Sequence, residues 1–334
     1  MTICIATRVS DAMVFAADSA TTLAGILPNG QQNIVNVYNG GDKVFNLYRG
    51  LPIIAMTCGM GHIGERNIGS LSKELRLRLM SEDKYWGIDP RTYTIEQVAE
   101  RAKMYFFDDR FQSQQSPDRS HSFEFWIGGY SSDSETHDLW CLTIVNGACS
   151  LTRIGQPGEL GIYPAGQPGP VMRLLCGIDP QAADHLVAAG VTDPQTAAEI
   201  ANVIRKRASY NLAAHAMPIH NAIELTRFLA ETTKGFFHFA PGADVVGGDL
   251  DIAVVTRYEG FKWIARKHYY PAEINVREID HAGGKNHPGY SAEDRAGQGK
   301  PVTRRVSLSG ADPYGRPIRR KRSGPRSGNR TSRN

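Results

Sequence analysis

The chain has 334 residues, 41% of them hydrophobic and 22% charged, which is ordinary globular composition. No run approaches the roughly 18 consecutive apolar residues of a membrane-spanning helix. Arg8, Asp11 and Asp18 interrupt the apolar start, so neither a membrane segment nor a signal peptide is expected and the expected location is cytoplasmic. The net charge of +4 is unevenly divided: from residue 301 onward ten Lys or Arg face the single acid Asp312, for +9, whereas residues 1–300 carry 28 basic against 33 acidic side chains, for −5.

Residues 2–9 and 12–17 are short apolar runs around the turn formers Ser10 and Asp11, which predicts a hairpin. Neither run alternates cleanly with polar residues, as expected of strands buried on both faces, between another sheet and a helix layer. Residues 24–41 are rich in Gly, Pro and Asn and predict a long loop or a second hairpin around 34–38. The next strand pair is expected over 43–47 and 52–57, turning at Arg49-Gly50. Ile68, Leu71, Leu75 and Leu79 then repeat at helical spacing behind Gly59, Gly61 and Gly64. A second helix is expected to start at Thr94, with Glu96 and Gln97 in its first turn. Strands are predicted over 123–128, 139–145 and 149–154, and helices over 170–176, 195–212 and 219–236. Two closing strands follow at 250–255 and 261–265. The order argues for an α+β fold with one sheet stacked on another and helices outside. Residues 271–334 turn to Gly, Pro, Ser, Arg and Asn with few apolar residues, too little to offset ordering entropy, so disorder is predicted there.

The five cysteines show no paired or zinc-like spacing, so neither disulfides nor structural zinc are expected. The ten histidines form no HExxH or H-x-H pair, and no metal is expected. Gly59-x-Gly61-x-x-Gly64 matches a dinucleotide-binding pattern, but no βαβ unit with an acid about 20 residues on supports it, and no cofactor is expected.

Two residues raise a different chemistry. Thr2 would begin the chain if Met1 were removed. A threonine hydroxyl needs an adjacent base, and at a chain terminus its own α-amine, with a pKa of about 7.7–8.0, can serve near neutral pH. Asp18 closes the second apolar run sixteen positions later. Taken alone, Thr2 reads as a strand residue and Asp18 as a turn former.

Their surroundings narrow the reading. The stretches Thr2-Ile3-Cys4-Ile5-Ala6, Val14-Phe15-Ala16-Ala17-Asp18-Ser19, Asp42-Lys43-Val44-Phe45 and Met56-Thr57-Cys58-Gly59-Met60-Gly61 resemble the proteasome β-subunit family, including its bacterial members, the peptidase of the two-component ATP-dependent protease and the ancestral proteasome-like peptidase. The resemblance is strongest over residues 2–80, weaker over 120–265, and does not reach the tail. It implies an N-terminal-nucleophile hydrolase with a four-layer αββα sandwich over 1–270. It implies Thr2 as nucleophile, Asp18 as the carboxylate that holds the lysine, Lys43 as the lysine that lowers the hydroxyl's proton affinity, and the Gly59 amide as oxyanion donor. Ser19 is a further supporting position. The resemblance also implies a ring or open spiral of copies, polypeptide substrates, and an ATPase that feeds the chamber.

Two motifs depart from the family. Its G-S-G at the head of the third helix reads Ala165-Gly166-Gln167-Pro168-Gly169-Pro170, with Gln167 in the serine's place. Its D-x-x-S-G-G turn reads Ala243-Asp244-Val245-Val246-Gly247-Gly248, with Val246 for serine and Asp244 one place off register. Three readings therefore stand from sequence: a threonine peptidase, an inactive structural member whose basic tail recruits an acidic partner or nucleic acid, and a non-protease amidase of the same class.

Overall fold

The computed structural model describes residues 2–26, 32–242 and 245–267. Met1 and residues 27–31, 243–244 and 268–334, among them Asp244 and the tail for which disorder is expected, lie outside the described residues. Contacts divide the chain into Met1–Pro271 and Ala272–Asn334, and every described residue belongs to the first unit.

The opening runs form β1 (Ile3–Val9) and β2 (Ala12–Ala17), every residue of both being buried. Their side chains divide by parity, as a strand's period of two requires. Ile3, Ile5, Val14 and Ala16 face a helix-covered cluster. Cys4, Ala6, Phe15 and Ala17 face a cluster between two sheets. That double burial is why no polar alternation is visible in the sequence. After a two-stranded ladder of β3 (Ala20–Ile26) and β4 (Gln32–Asn39), β5 (Val44–Asn46) pairs with β6 (Ile53–Gly59). A two-residue ladder, β7 (His62–Ile63) with β8 (Arg66–Asn67), leads into α1 (Ile68–Leu79), capped by Asn67 Oδ1 accepting from Ser70 N at 2.7 Å.

The second helix, α2 (Ile95–Lys103), starts where expected, with Thr94 and Gln97 in a reciprocal capping box. It does not stop at its apolar stripe. It continues as a π-helical segment, Met104–Phe111, whose aromatic rings seat against the second sheet. Strands β9 (Phe123–Tyr130), β10 (His137–Val145) and β11 (Ala148–Arg153) follow.

A strand without a sequence expectation comes next, β12 (Gly161–Gly166). It contains Pro164, which the sheet tolerates because β12 is an edge strand. The helical region holds α3 (Gly169–Cys176), an unpredicted α4 (Ala182–Ala188), α5 (Pro194–Ala208) and α6 (Ile219–Phe239). Asp193 caps α5, accepting from Gln195 N and Thr196 N, and the helix ends at Ala208, short of the expected 212. Strands β13 (Asp251–Thr256) and β14 (Gly260–Ala265) close the fold.

One sheet runs β12-β1-β2-β13-β14 and the other β11-β10-β9-β6-β5. Three apolar layers separate four structural ones. Residues of α1, α2 and the π-helical segment pack on the second sheet around Phe106, Phe123 and Phe125. The facing sheets enclose Cys4, Met13, Phe15, Met56 and Leu139. Helices α3 and α6 cover the first sheet around Val171, Leu229 and Val246. The result is an αββα sandwich, the α+β architecture expected. Burying side chains such as Phe15 contributes roughly 1.5–3 kcal/mol each.

Candidate active site

The hairpin register sets the sixteen-residue spacing of Thr2 and Asp18. Cys4 lies opposite Ala17, and continuing the ladder by one step brings Ile3 to Asp18: Asp18 N donates to Ile3 O at 3.2 Å and Ile3 N donates to Asp18 Oδ1 at 3.1 Å. Asp18 is fully buried. Its other oxygen, Oδ2, accepts from Ala20 N at 3.2 Å and from Gly247 N at 3.1 Å.

Lys43 enters from the residue before β5. Its carbonyl is fixed by Thr57 N at 2.9 Å. Its ammonium has three donors, and each has a partner: Thr2 Oγ1 at 2.5 Å, Asp18 Oδ1 at 2.8 Å and Ala20 O at 2.5 Å. Thr2 is itself only 6% exposed. A hydroxyl that accepts from an ammonium is easier to deprotonate, because the alkoxide that forms lies against a fixed positive charge.

Gly59 ends β6 at φ +89°. A Cβ there would collide with the carbonyl of Ser122. The glycine is therefore demanded by backbone crowding as well as by φ. Gly59, Thr2 and Lys43 line one cavity of about 460 Å³, together with Thr21, Ser70 and Lys73. Cys58 also lines it, but hydrogen bonding to Cys4, burial and nearby negative groups push its thiol well above the usual value. At neutral pH it stays protonated, a poor competitor for the nucleophile's role.

The remaining positions take different places. Ser19 is buried; its N donates to Gly247 O at 3.1 Å, and its O accepts from Gly40 N and Gly41 N at 3.0 and 2.9 Å. Its hydroxyl faces Gly248, where φ is +73° and a Cβ would strike Ser19 Oγ. Gln167 is half-buried and follows Gly166, which lies opposite Ile3, so its main chain sits at the Thr2 end of the sheet. Val246 is buried in the helix-side cluster and presents an apolar side chain where the family pattern has a hydroxyl. Asp244 lies outside the described residues.

Three participants had no assigned role in the sequence reading. The Gly247 amide and the Ala20 carbonyl act through the backbone, which residue identity hides. Gly166, at φ +79°, has no room for a Cβ because the Thr2 carbonyl occupies the space. Its signal was the glycine itself, at a strand-to-helix junction.

No family model matches the chain, and no curated protein matches it. Among solved structures it is similar to a chain of the helical assembly of the Anbu complex from Pseudomonas aeruginosa, at 15% identity and a TM-score of 0.44, over 80% of this chain and 88% of that one. The chemistry rests on the residues themselves. Among the described residues no cluster of three His, Cys, Asp or Glu is placed to hold a metal, and no helix is long and apolar enough to cross a membrane.

Proposed function

We propose that this chain is an N-terminal threonine peptidase that hydrolyses amide bonds of peptides or unfolded polypeptides. The observation that carries the reading is the buried Lys43 ammonium, held by Asp18 and donating to Thr2 Oγ1. Removal of Met1 turns the Thr2 nitrogen into a free α-amine. That amine takes the hydroxyl proton as Oγ1 attacks the substrate carbonyl, and the Gly59 N–H donates to the oxyanion that forms. The tetrahedral intermediate collapses, the C–N bond breaks, and the α-ammonium returns its proton to the leaving amine. Water, deprotonated by the same amine, then hydrolyses the threonyl ester. The Lys43 ammonium stabilises the alkoxide, while Asp18 fixes its position.

The proposal includes a homo-oligomeric ring or spiral that encloses the site and admits unfolded chains, and an ATPase that feeds it. The basic tail is proposed to contact an acidic partner. Intact mass tests the first requirement, loss of Met1. Turnover of unstructured peptides, and adduct formation with a peptide vinyl sulfone, are then compared between wild type and Thr2→Ala. Wild type is expected to turn over and carry the adduct on Thr2, and the variant to do neither. Retained Met1, or equal turnover in both proteins, would overturn the proposal.

A further inference from the structure

A second buried lysine–aspartate pair lies beside the first. Lys267 Nζ donates to Asp251 Oδ2 at 2.7 Å and to the carbonyl of Gly41 at 2.6 Å. Lys267 N donates to Asp251 Oδ1 at 3.2 Å. The two side chains are 9% and 2% exposed, and Lys267 and Gly41 are 226 positions apart in sequence. Desolvating two charges offsets most of what their attraction returns, so a buried ion pair is a weak device for stability alone. Its placement is the informative feature.

Gly41 stands two residues before Lys43. Its amide donates to Ser19 O at 2.9 Å, its carbonyl accepts from Lys267, and a Cβ on it would strike Thr21 Oγ1. The backbone carrying Lys43 is thus held at Gly41 N, at Gly41 O and at Lys43 O. The Gly41 O anchor comes from a side chain 226 positions later in the chain. Asp251, which orients that side chain, lies opposite Ala17 in the β2–β13 ladder, next to Asp18.

We infer that Lys267 and Asp251 are positioning residues for Lys43: they clamp the Gly41 carbonyl and so set where the Lys43 ammonium meets Thr2 and Asp18. The inference rests on the threonine-nucleophile reading for its catalytic consequence and on geometry alone for the clamp. Neither residue lines the cavity, so the pair acts through Lys43 and not on substrate.

The test uses the full chain with the double substitution Asp251→Asn and Lys267→Met. It removes both charges together, and the Asn oxygen still accepts from residue 267 N. Lys267→Arg is the conservative control. Thermal melting followed by circular dichroism shows that each variant is folded at the assay temperature. Labelling by a peptide vinyl sulfone is then resolved into its maximal rate and its half-saturating concentration. In the double variant the maximal rate is expected to fall on the order of ten- to a hundredfold, the scale of a displaced catalytic group. The half-saturating concentration is expected to hold, and Lys267→Arg to recover much of the rate. A folded double variant that labels at the wild-type maximal rate overturns the inference. If wild type forms no adduct, the peptidase reading fails, and amide hydrogen exchange over residues 40–46 decides the clamp. Faster exchange in the double variant supports it, and unchanged exchange overturns it.

Discussion

Asp18 shows how little freedom a single position of this site has. Each carboxylate oxygen faces two donors: Oδ1 faces Ile3 N and Lys43 Nζ, and Oδ2 faces Ala20 N and Gly247 N. An asparagine has one acceptor oxygen and one NH₂. Whichever way the amide turns, its NH₂ confronts two donors, and the Lys43 charge loses its partner. Asp18→Asn is therefore expected to lose adduct formation on Thr2 and to cost roughly 3–5 kcal/mol in urea unfolding, the scale of breaking a buried pair. Gly166 is constrained by space instead of charge. Gly166→Ala must move the Thr2 carbonyl or leave φ +79°, and both displace Thr2 from Lys43. Labelling is expected to fall by about a hundredfold, and a rate within twofold of wild type would contradict this. Thr2, Asp18 and Lys43 were picked out in sequence by their likeness to the proteasome β-subunit pattern, and the β1–β2 hairpin fixes the spacing of the first two. Gly247 was not, because its contribution is an amide that every non-proline residue owns.

The elements were legible to the extent that their periodicity was local. The opening hairpin, α1 and the start of α2 declare themselves through apolar spacing and caps. Strand β12 does not, because Pro164 masks it and only its edge position lets the proline stand. The π-helical turn after α2 is equally silent in the pattern: Gln112 N reaches back to Phe107 O at 2.9 Å, a choice made by the aromatic contacts it enables. Phe106 is central there, with ring centroids 4.6 Å from Phe125 and 5.4 Å from Phe123. Phe106→Ala is expected to cost about 3–5 kcal/mol in urea unfolding, by lost burial plus the cavity left between helix and sheet. The cavity near Thr2 borders α1 and not this segment, so peptide turnover in the folded fraction should stay within twofold. A larger loss of activity than of folded protein would show that the two sheets are coupled more tightly than their packing implies.

At the scale of the whole molecule, the two sheets are joined at the end of β1 remote from Thr2 by a buried polar tie. Arg8 Nε donates to His137 Nδ1 at 3.3 Å, and its terminal nitrogens donate to Ile154 O and Gln156 O, each at 2.7 Å. His137 Nε2 lies 2.8 Å from Val9 O, an acceptor, so the network assigns the proton to Nε2 and leaves Nδ1 to accept. The imidazole is neutral by design of its neighbours. Burial first, and the Arg8 charge as well, hold its pKa below the ordinary histidine value. The unfolded chain, with an ordinary pKa near 6.5, binds a proton that the folded chain refuses. Stability is thus at its full value above about pH 6.5 and falls as pH drops from there through the depressed folded value, by at most about 1.4 kcal/mol per pH unit for one proton. Glu74 does not enter this window. Burial would raise it, but hydrogen bonding to Arg66 and the charge of Arg110 outweigh that and hold it down to about 2, so its contribution is lost progressively as pH falls from the ordinary glutamate value of about 4.3 to about 2. Urea unfolding at pH 7 and pH 5 is expected to show lower stability at pH 5. His137→Asn, with nothing to titrate there, is expected to be less stable at both pH values and to shrink the difference between them. An undiminished difference in the variant would mean that the acid sensitivity of the sandwich lies elsewhere than in this tie.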